Sequence, residues 1–97
     1  MLDSKTRSFL TGLASAAPAG LHLGKQGPTE ALAAQLSTLL DRHELVKMKF
    51  IDFKDDKKAI AADLALAAGA ELVRVIGNMA IFYKRNPDPE KRTVILP

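Results

Sequence analysis

The sequence predicts a mixed α/β (α+β) fold in the order α-β-α-β-α-β-β, with a four-stranded mixed sheet and helices mainly on one face. Three observations predict it. Leu32, Leu36, Leu39 and Leu40 recur at helical spacing. The stretch "ELVKMKFIDF" (Glu44–Phe53) alternates, so Val46, Met48 and Phe50 point one way while Lys47 and Lys49 point the other. The stretch "ELVRVIGNMAIFYKR" (Glu71–Arg85) breaks at Gly77-Asn78, a pair suited to a tight hairpin turn. A helix-length segment separates the second and third strands. That favours a parallel pairing of those two through a right-handed crossover, whereas the last two strands pair antiparallel.

Each element has its own signals. Asp3 or Ser4 caps a first helix running to about Ala16, with Leu2, Phe9, Leu10 and Leu13 on its apolar face and Lys5 and Arg7 outward. The same stretch has early cations and a small-residue ending, as a secretion signal does. Thr11, Gly12 and Ser15 interrupt its apolar centre and Asp3 sits in its charged end, so the helix reading is preferred. Pro18 and Gly20 stop the helix, and Gly20 to Leu23 reads as a short strand. Pro28-Thr29-Glu30 opens the second helix, which ends near Arg42-His43, where cations suit the negative end of the helix dipole. Asp55-Asp56 starts a third helix with Ile60, Leu64, Ala67 and Ala68 as its stripe and Gly69 as its C-terminal cap. "NPDPEKR" is a loop, and "TVILP" reads as a last short edge strand. Neither a repeat nor a second domain is apparent, so residues 1–97 are expected to form one domain.

Composition narrows the function. The chain is 47% hydrophobic and has a formal net charge of +3, so the placement of its cations matters more than their number. Cysteine is absent, which removes disulfides, thiolate chemistry and Cys-based zinc sites and fits a cytoplasmic location. His22 and His43 are far apart with no third ligand, so no metal site is expected. No serine or threonine lies in a nucleophile motif, and Asp52, Asp55 and Asp56 cluster where a helix start favours carboxylates anyway. The chain is therefore expected to be neither an enzyme nor a cofactor binder. No apolar run approaches the roughly 18 residues of a membrane span.

The most informative segment joins the first strand to the second helix: Gly24-Lys25-Gln26-Gly27. A helix start exposes unpaired N–H groups and partial positive charge. Glycine lets a ligand backbone approach without meeting a side chain, and Lys25 adds a mobile charge. KH domains clamp about four nucleotides with a G-x-x-G loop. The spacing is not that of a P-loop, because the lysine precedes the second glycine, and the third glycine of a dinucleotide fingerprint is missing. By spacing alone, a phosphate-holding loop and a tight turn that needs glycine both stay open.

Four blocks in order make the chain familiar: "LTGLA" (Leu10–Ala14), "LGKQGPTEAL" (Leu23–Leu32), "RHELVKMKF" (Arg42–Phe50) and "GAELVRVIGNMAIFYKRN" (Gly69–Asn86). Together they resemble the CRM domain, the chloroplast RNA splicing and ribosome maturation module, in its short stand-alone bacterial YhbY form. The resemblance spans about residues 4 to 96. It implies an RNA-binding domain with a four-stranded sheet, similar to the C-terminal domain of bacterial translation initiation factor three. It also implies association with precursors of the large ribosomal subunit, hence ribosome assembly. Carried over by position, Gly24, Lys25, Gln26 and Gly27 match the family's RNA-contacting loop, Lys47 and Lys49 match basic strand positions, and Arg85 matches a basic position after the last tyrosine. Two departures stand out: the neutral Ser15–Ala19 link before the first strand, and Asn78 where a basic residue is common.

The expected RNA-binding set is thus Gly24, Lys25, Gln26, Gly27, Thr29, Lys47, Lys49, Lys84 and Arg85. The expected partner is RNA, above all ribosomal RNA or pre-large-subunit particles, bound by a monomer. Lys57-Lys58 and Lys91-Arg92 are further basic pairs that ordinarily lie on solvated surface. Phe9, Phe50 and Phe82 read as core, with Tyr83 as a candidate stacking partner. The competing reading is a protein–protein adaptor that docks an acidic partner on its basic strand, with the glycines serving only the turn.

Overall fold

The computed structural model describes residues 2–96. Its elements run α1 (Ser4–Ser15), β1 (Leu21–Leu23), α2 (Glu30–His43), β2 (Leu45–Phe50), α3 (Lys57–Ala68), β3 (Glu71–Ile76) and β4 (Met79–Tyr83), with single 3-10 turns at Lys54–Asp56 and Pro89–Lys91. The predicted order and the four-stranded mixed sheet are present. Asp3 caps α1 by accepting the Thr6 amide at 2.8 Å, which holds its carboxyl below the ordinary aspartate value. Thr29 caps α2 through its hydroxyl, which accepts the Leu32 amide at 3.1 Å. Gly69, at φ 65°, closes α3, and the Ala70 amide reaches back to the Ala65 carbonyl.

The sheet order is β1-β2-β4-β3. β1 pairs parallel with β2, and β4 pairs antiparallel with both β2 and β3. The predicted direct pairing of the second and third strands is therefore corrected: they run the same way, but β4 lies between them. The residues explain why. Ala80, Ile81, Phe82 and Tyr83 of β4 are all buried, as a strand covered on both faces requires, while β3 exposes Glu71, Arg74 and Ile76 and suits an edge. The two-residue Gly77-Asn78 turn ties β4 to that edge strand, with glycine at φ 55° in the first central position.

Two apolar layers flank the sheet. α2 and α3 cover one face through Leu32, Leu36, Leu40, Ala61, Leu64, Ala65 and Ala68, packed on Met48, Phe50 and Phe82. α1 covers part of the other face, where Leu10 and Ala14 meet Val73, Ile81 and Tyr83. Two of the three helices thus share a face, and α1 is the exception. Three expected orientations change. Leu13 is largely exposed, Arg7 is half-buried rather than outward, and Ala67 is exposed while Ala61 and Ala65 supply the α3 stripe. Phe9 is only partly buried at the rim of the second cluster.

The C-terminal "TVILP" is not an edge strand over its described residues; Pro97 lies outside them. The amides of Thr93 and Val94 go instead to one oxygen of the Glu44 carboxylate, at 2.6 and 2.9 Å, and its other oxygen accepts the Asn86 amide at 2.6 Å. Glu44 is fully buried at the α2–β2 junction. Burial alone would raise its pKa, but the three amides and the nearby Arg92 charge outweigh it and hold the carboxyl below the ordinary glutamate value. Residues 86–96 form a strap across the start of β2, and Val94 and Leu96 pack on the α1-side cluster.

Candidate nucleic-acid interface

β1 and β2 are parallel, so both end at the same edge of the sheet, with Leu23 opposite Phe50. α2 and α3 follow those strands directly, so both helices begin at that edge and carry their partial positive charge there. The Gly77-Asn78 turn joins them: the Phe50 amide donates to the Asn78 carbonyl at 2.7 Å, and Lys57 Nζ donates to the Gly77 carbonyl at 2.6 Å. One end of the molecule therefore gathers the glycine loop, two helix starts and the hairpin tip.

Gly24–Gly27 is closed by the Gly27 amide donating to the Gly24 carbonyl at 3.0 Å, and the Thr29 amide then donates to the Gly27 carbonyl at 3.0 Å. The turn points Lys25 and Gln26 into solvent. Thr29 leaves the amides of Glu30 and Ala31 as the α2 donors without helical acceptors. His22, Gly24, Lys25, Gln26, Gly27, Thr29 and the first turns of α2 line an open recess of about 370 Å³.

The two loop glycines are not equivalent. Gly27 has φ 73°, and a Cβ there would stand 3.1 Å from the Phe53 ring. The fold itself requires that glycine. Gly24 has no such reason: its φ is outside the left-handed region, and a Cβ there would meet nothing within 4 Å. Gly27→Ala is expected to cost about 1–2 kcal/mol of stability, whereas Gly24→Ala costs less than about 0.5 kcal/mol. Urea denaturation of the two variants checks this.

The structure divides the predicted set. Gly24, Lys25, Gln26, Gly27 and Thr29 form the loop end. Lys49 is exposed on the α1 side of the sheet, beside His22 on β1, so it continues the loop surface around the sheet edge. Lys47 is half-buried two residues further back, lining a recess with Thr11 and Ser15 of α1. Lys84 and Arg85 do not join this site. They follow β4 at the opposite end, roughly 17 Å away along β2 at the usual rise per residue. Lys84 lies 3.8 Å from Asp41 and donates to the Ala68 carbonyl at 3.5 Å, so its charge answers the C-terminal ends of α2 and α3. Tyr83 is buried, which raises its hydroxyl pKa with the Glu44 charge adding to the effect. Burial also removes it as a stacking partner.

One residue at the loop end was not singled out from the sequence. Phe53 has φ 56° and ψ 36°, a left-handed conformation costing an L-residue about 1–2 kcal/mol. It is 38% exposed. A signal was present: Phe53 falls outside the alternation of β2 and stands alone between Asp52 and Lys54-Asp55-Asp56. The basic pair Lys57-Lys58 also divides: Lys57 is committed to the hairpin turn, while Lys58 is exposed on the first turn of α3.

Among the described residues, no group of three or more metal-ligating side chains is present, and no helix is long and apolar enough to cross a membrane. Comparison with known proteins agrees with the architecture. A Pseudomonas aeruginosa protein named as a probable RNA-binding protein is 38% identical over 72 residues, covering 73% of this chain and 69% of that one. Bacillus subtilis YqeI, also named as a probable RNA-binding protein, is 29% identical over the whole of both chains. The solution structure of a hypothetical Staphylococcus aureus protein superposes with a TM-score of 0.82 at 33% identity, covering all of both chains. The CRS1 / YhbY (CRM) domain matches residues 2–84, and the chain belongs to that family.

Proposed function

We infer that this protein binds RNA through the loop end of its sheet, without catalysing a reaction, and that its target is ribosomal RNA in precursors of the large subunit. Gly24–Gly27 and the start of α2 hold the sugar-phosphate backbone, and Lys25 and Lys49 neutralise phosphates along the edge of β1. The observation that carries this reading is Gly24. The fold does not need glycine there, yet it adjoins an exposed lysine and the donors of a helix start. A side-chain-free position is what a closely approaching backbone requires. The names of the relatives support the RNA assignment. The ribosomal target rests on the family resemblance, and cytoplasmic location and a monomeric state go with it.

Affinity for large-subunit ribosomal RNA, measured across a salt series, tests the reading. Neutralising two phosphates, at Lys25 and Lys49, on single-stranded segments predicts a slope of about −1.4 in log K against log salt. Absence of binding overturns it. A nuclease-resistant protein complex would then favour the adaptor, for which Lys47 and Lys49 supply a basic strand face.

A further inference from the structure

We propose that Phe53 is a base-stacking platform: an unpaired nucleobase of the RNA held on the Gly24–Gly27 loop stacks on its exposed ring. The proposal rests on the reading of the loop as the RNA site and adds a contact to the base where that reading has contacts only to the backbone.

The fold gains little from a phenylalanine at this position. Phe53 belongs to neither apolar cluster. It occupies a backbone region that glycine or asparagine enters more cheaply. Yet the conformation is fixed on both sides. The Asp52 carboxylate accepts the Phe53 amide at 2.7 Å, and the Asp56 amide donates to the Phe53 carbonyl at 3.2 Å. Just before it, the amides of Ile51 and Asp52 both donate to the Leu23 carbonyl, at 2.9 and 3.2 Å, which anchors the segment to the strand that feeds the glycine loop.

The ring's position follows from those anchors. Its far end, Cζ and Cε2, rests over Gly27, the glycine whose replacement it would obstruct. The contact with Gly27 is made by the ring's outer carbons, and the residue as a whole keeps 38% of its surface exposed, which a base can use. An aromatic in this position lies against the second glycine of the loop, with exposed Lys54 next in sequence and Lys25 across the loop. A phosphate track flanked by a rigid, half-exposed aromatic is the arrangement that single-strand binders use, because every base offers a π face. Exposed Ile51 stands two residues away, but the charged neighbours Asp52, Lys54, Asp55 and Asp56 flank Phe53 in sequence and are all exposed, which suits a nucleic-acid edge better than an apolar protein-docking patch. The specificity that follows is for unpaired over paired RNA, since bases in a duplex already stack on each other.

The test uses the full chain with a short single-stranded oligoadenylate and a duplex of matched length. Phe53→Leu keeps an apolar contact on Gly27 but has no aromatic face. It is expected to weaken oligoadenylate binding about 5- to 100-fold, leave the salt slope unchanged and leave duplex binding unchanged. Phe53→Trp retains the platform. The chain has no other tryptophan, so the indole reports from this position alone, and its emission is expected to be quenched when oligoadenylate is added. If Phe53→Leu matches the wild type, or if bound RNA leaves the indole emission unchanged, the proposal is overturned while the loop reading stands. If the wild type binds the duplex or ribosomal RNA but not oligoadenylate, the stacking proposal is overturned while the loop reading stands; if it binds none of the three, both fall. Were Phe53→Leu to lose its fold by circular dichroism, the tryptophan emission alone would decide. Quenching by an apolar protein partner but not by RNA would assign the residue to protein docking and overturn the proposal.

Discussion

Glu44→Ala is expected to cost about 3–5 kcal/mol, a large part of the 5–15 kcal/mol available to a domain of this size. Three backbone amides, of Asn86, Thr93 and Val94, end on this one fully buried carboxylate. Hydrogen bonds to a charged group contribute about 1.5–3 kcal/mol each, and donors left without an acceptor carry a desolvation cost. The thermal midpoint should fall by about 15 °C or more. Amide exchange at Thr93 and Val94 should accelerate ahead of the sheet, because the strap loses its anchor first. Glu44→Gln is a sharper probe. It keeps the volume and one acceptor oxygen, but its amide nitrogen must then face a backbone donor. About 2 kcal/mol of loss is expected.

The same carboxylate makes stability depend on pH. Its folded pKa lies below the ordinary 4.5, so the unfolded chain binds the proton more readily. The stabilisation is therefore fully present above the unfolded value and is lost as pH falls through the folded one. Denaturant midpoints of the wild type should decline in that acidic window, and those of Glu44→Gln should decline less. Parallel declines in both proteins would show that other carboxylates govern acid unfolding.

These features also show how far the sequence could be read. Elements whose signals are local came through: the leucine stripe of α2, the alternation of β2, the Gly77 turn and the glycine cap of α3 each follow from residues within one or two turns of chain. Pairing order did not. Nothing local to "MAIFY" says that it separates β2 from β3; its unbroken apolar character hints at a central strand only once the edge alternatives are weighed. Glu44 is the plainest case. In sequence it is one polar residue before an alternating strand, and its three partners lie 42 to 50 residues away. The loop residues of the site were legible because glycine spacing and a helix start are local chemistry. Lys84-Arg85 lie apart from the loop for a topological reason: adjacent antiparallel strands bring the end of β4 to the start of β2. Phe53 was marked in sequence only by falling outside the alternation of β2; its left-handed backbone and the placement of its ring on Gly27 depend on a contact 26 residues away in the chain, which no local pattern shows.

The double variant Gly24→Asp/Lys25→Glu should lose RNA affinity by roughly 30-fold or more at 0.1 M salt, about 2 kcal/mol. It should also lose close to one unit of salt slope. It takes the formal net charge from +3 to zero, so a charge-reversal control away from the loop is needed, here one that takes it to +1. Arg85→Glu supplies it: it reverses an exposed charge at the far end of β2, beyond the roughly 10 Å screening length at that salt. That variant should bind within about threefold of the wild type. The loop variant should also remain folded, because neither substitution meets an obstacle: a Cβ at Gly24 has open space and Lys25 is exposed. Unchanged urea midpoints for both proteins would establish that. Comparable losses from the two variants would mean that affinity follows total charge and that the loop is only a turn. A loss confined to the loop variant would place the phosphates at the α2 start, where Gly24 leaves room for them.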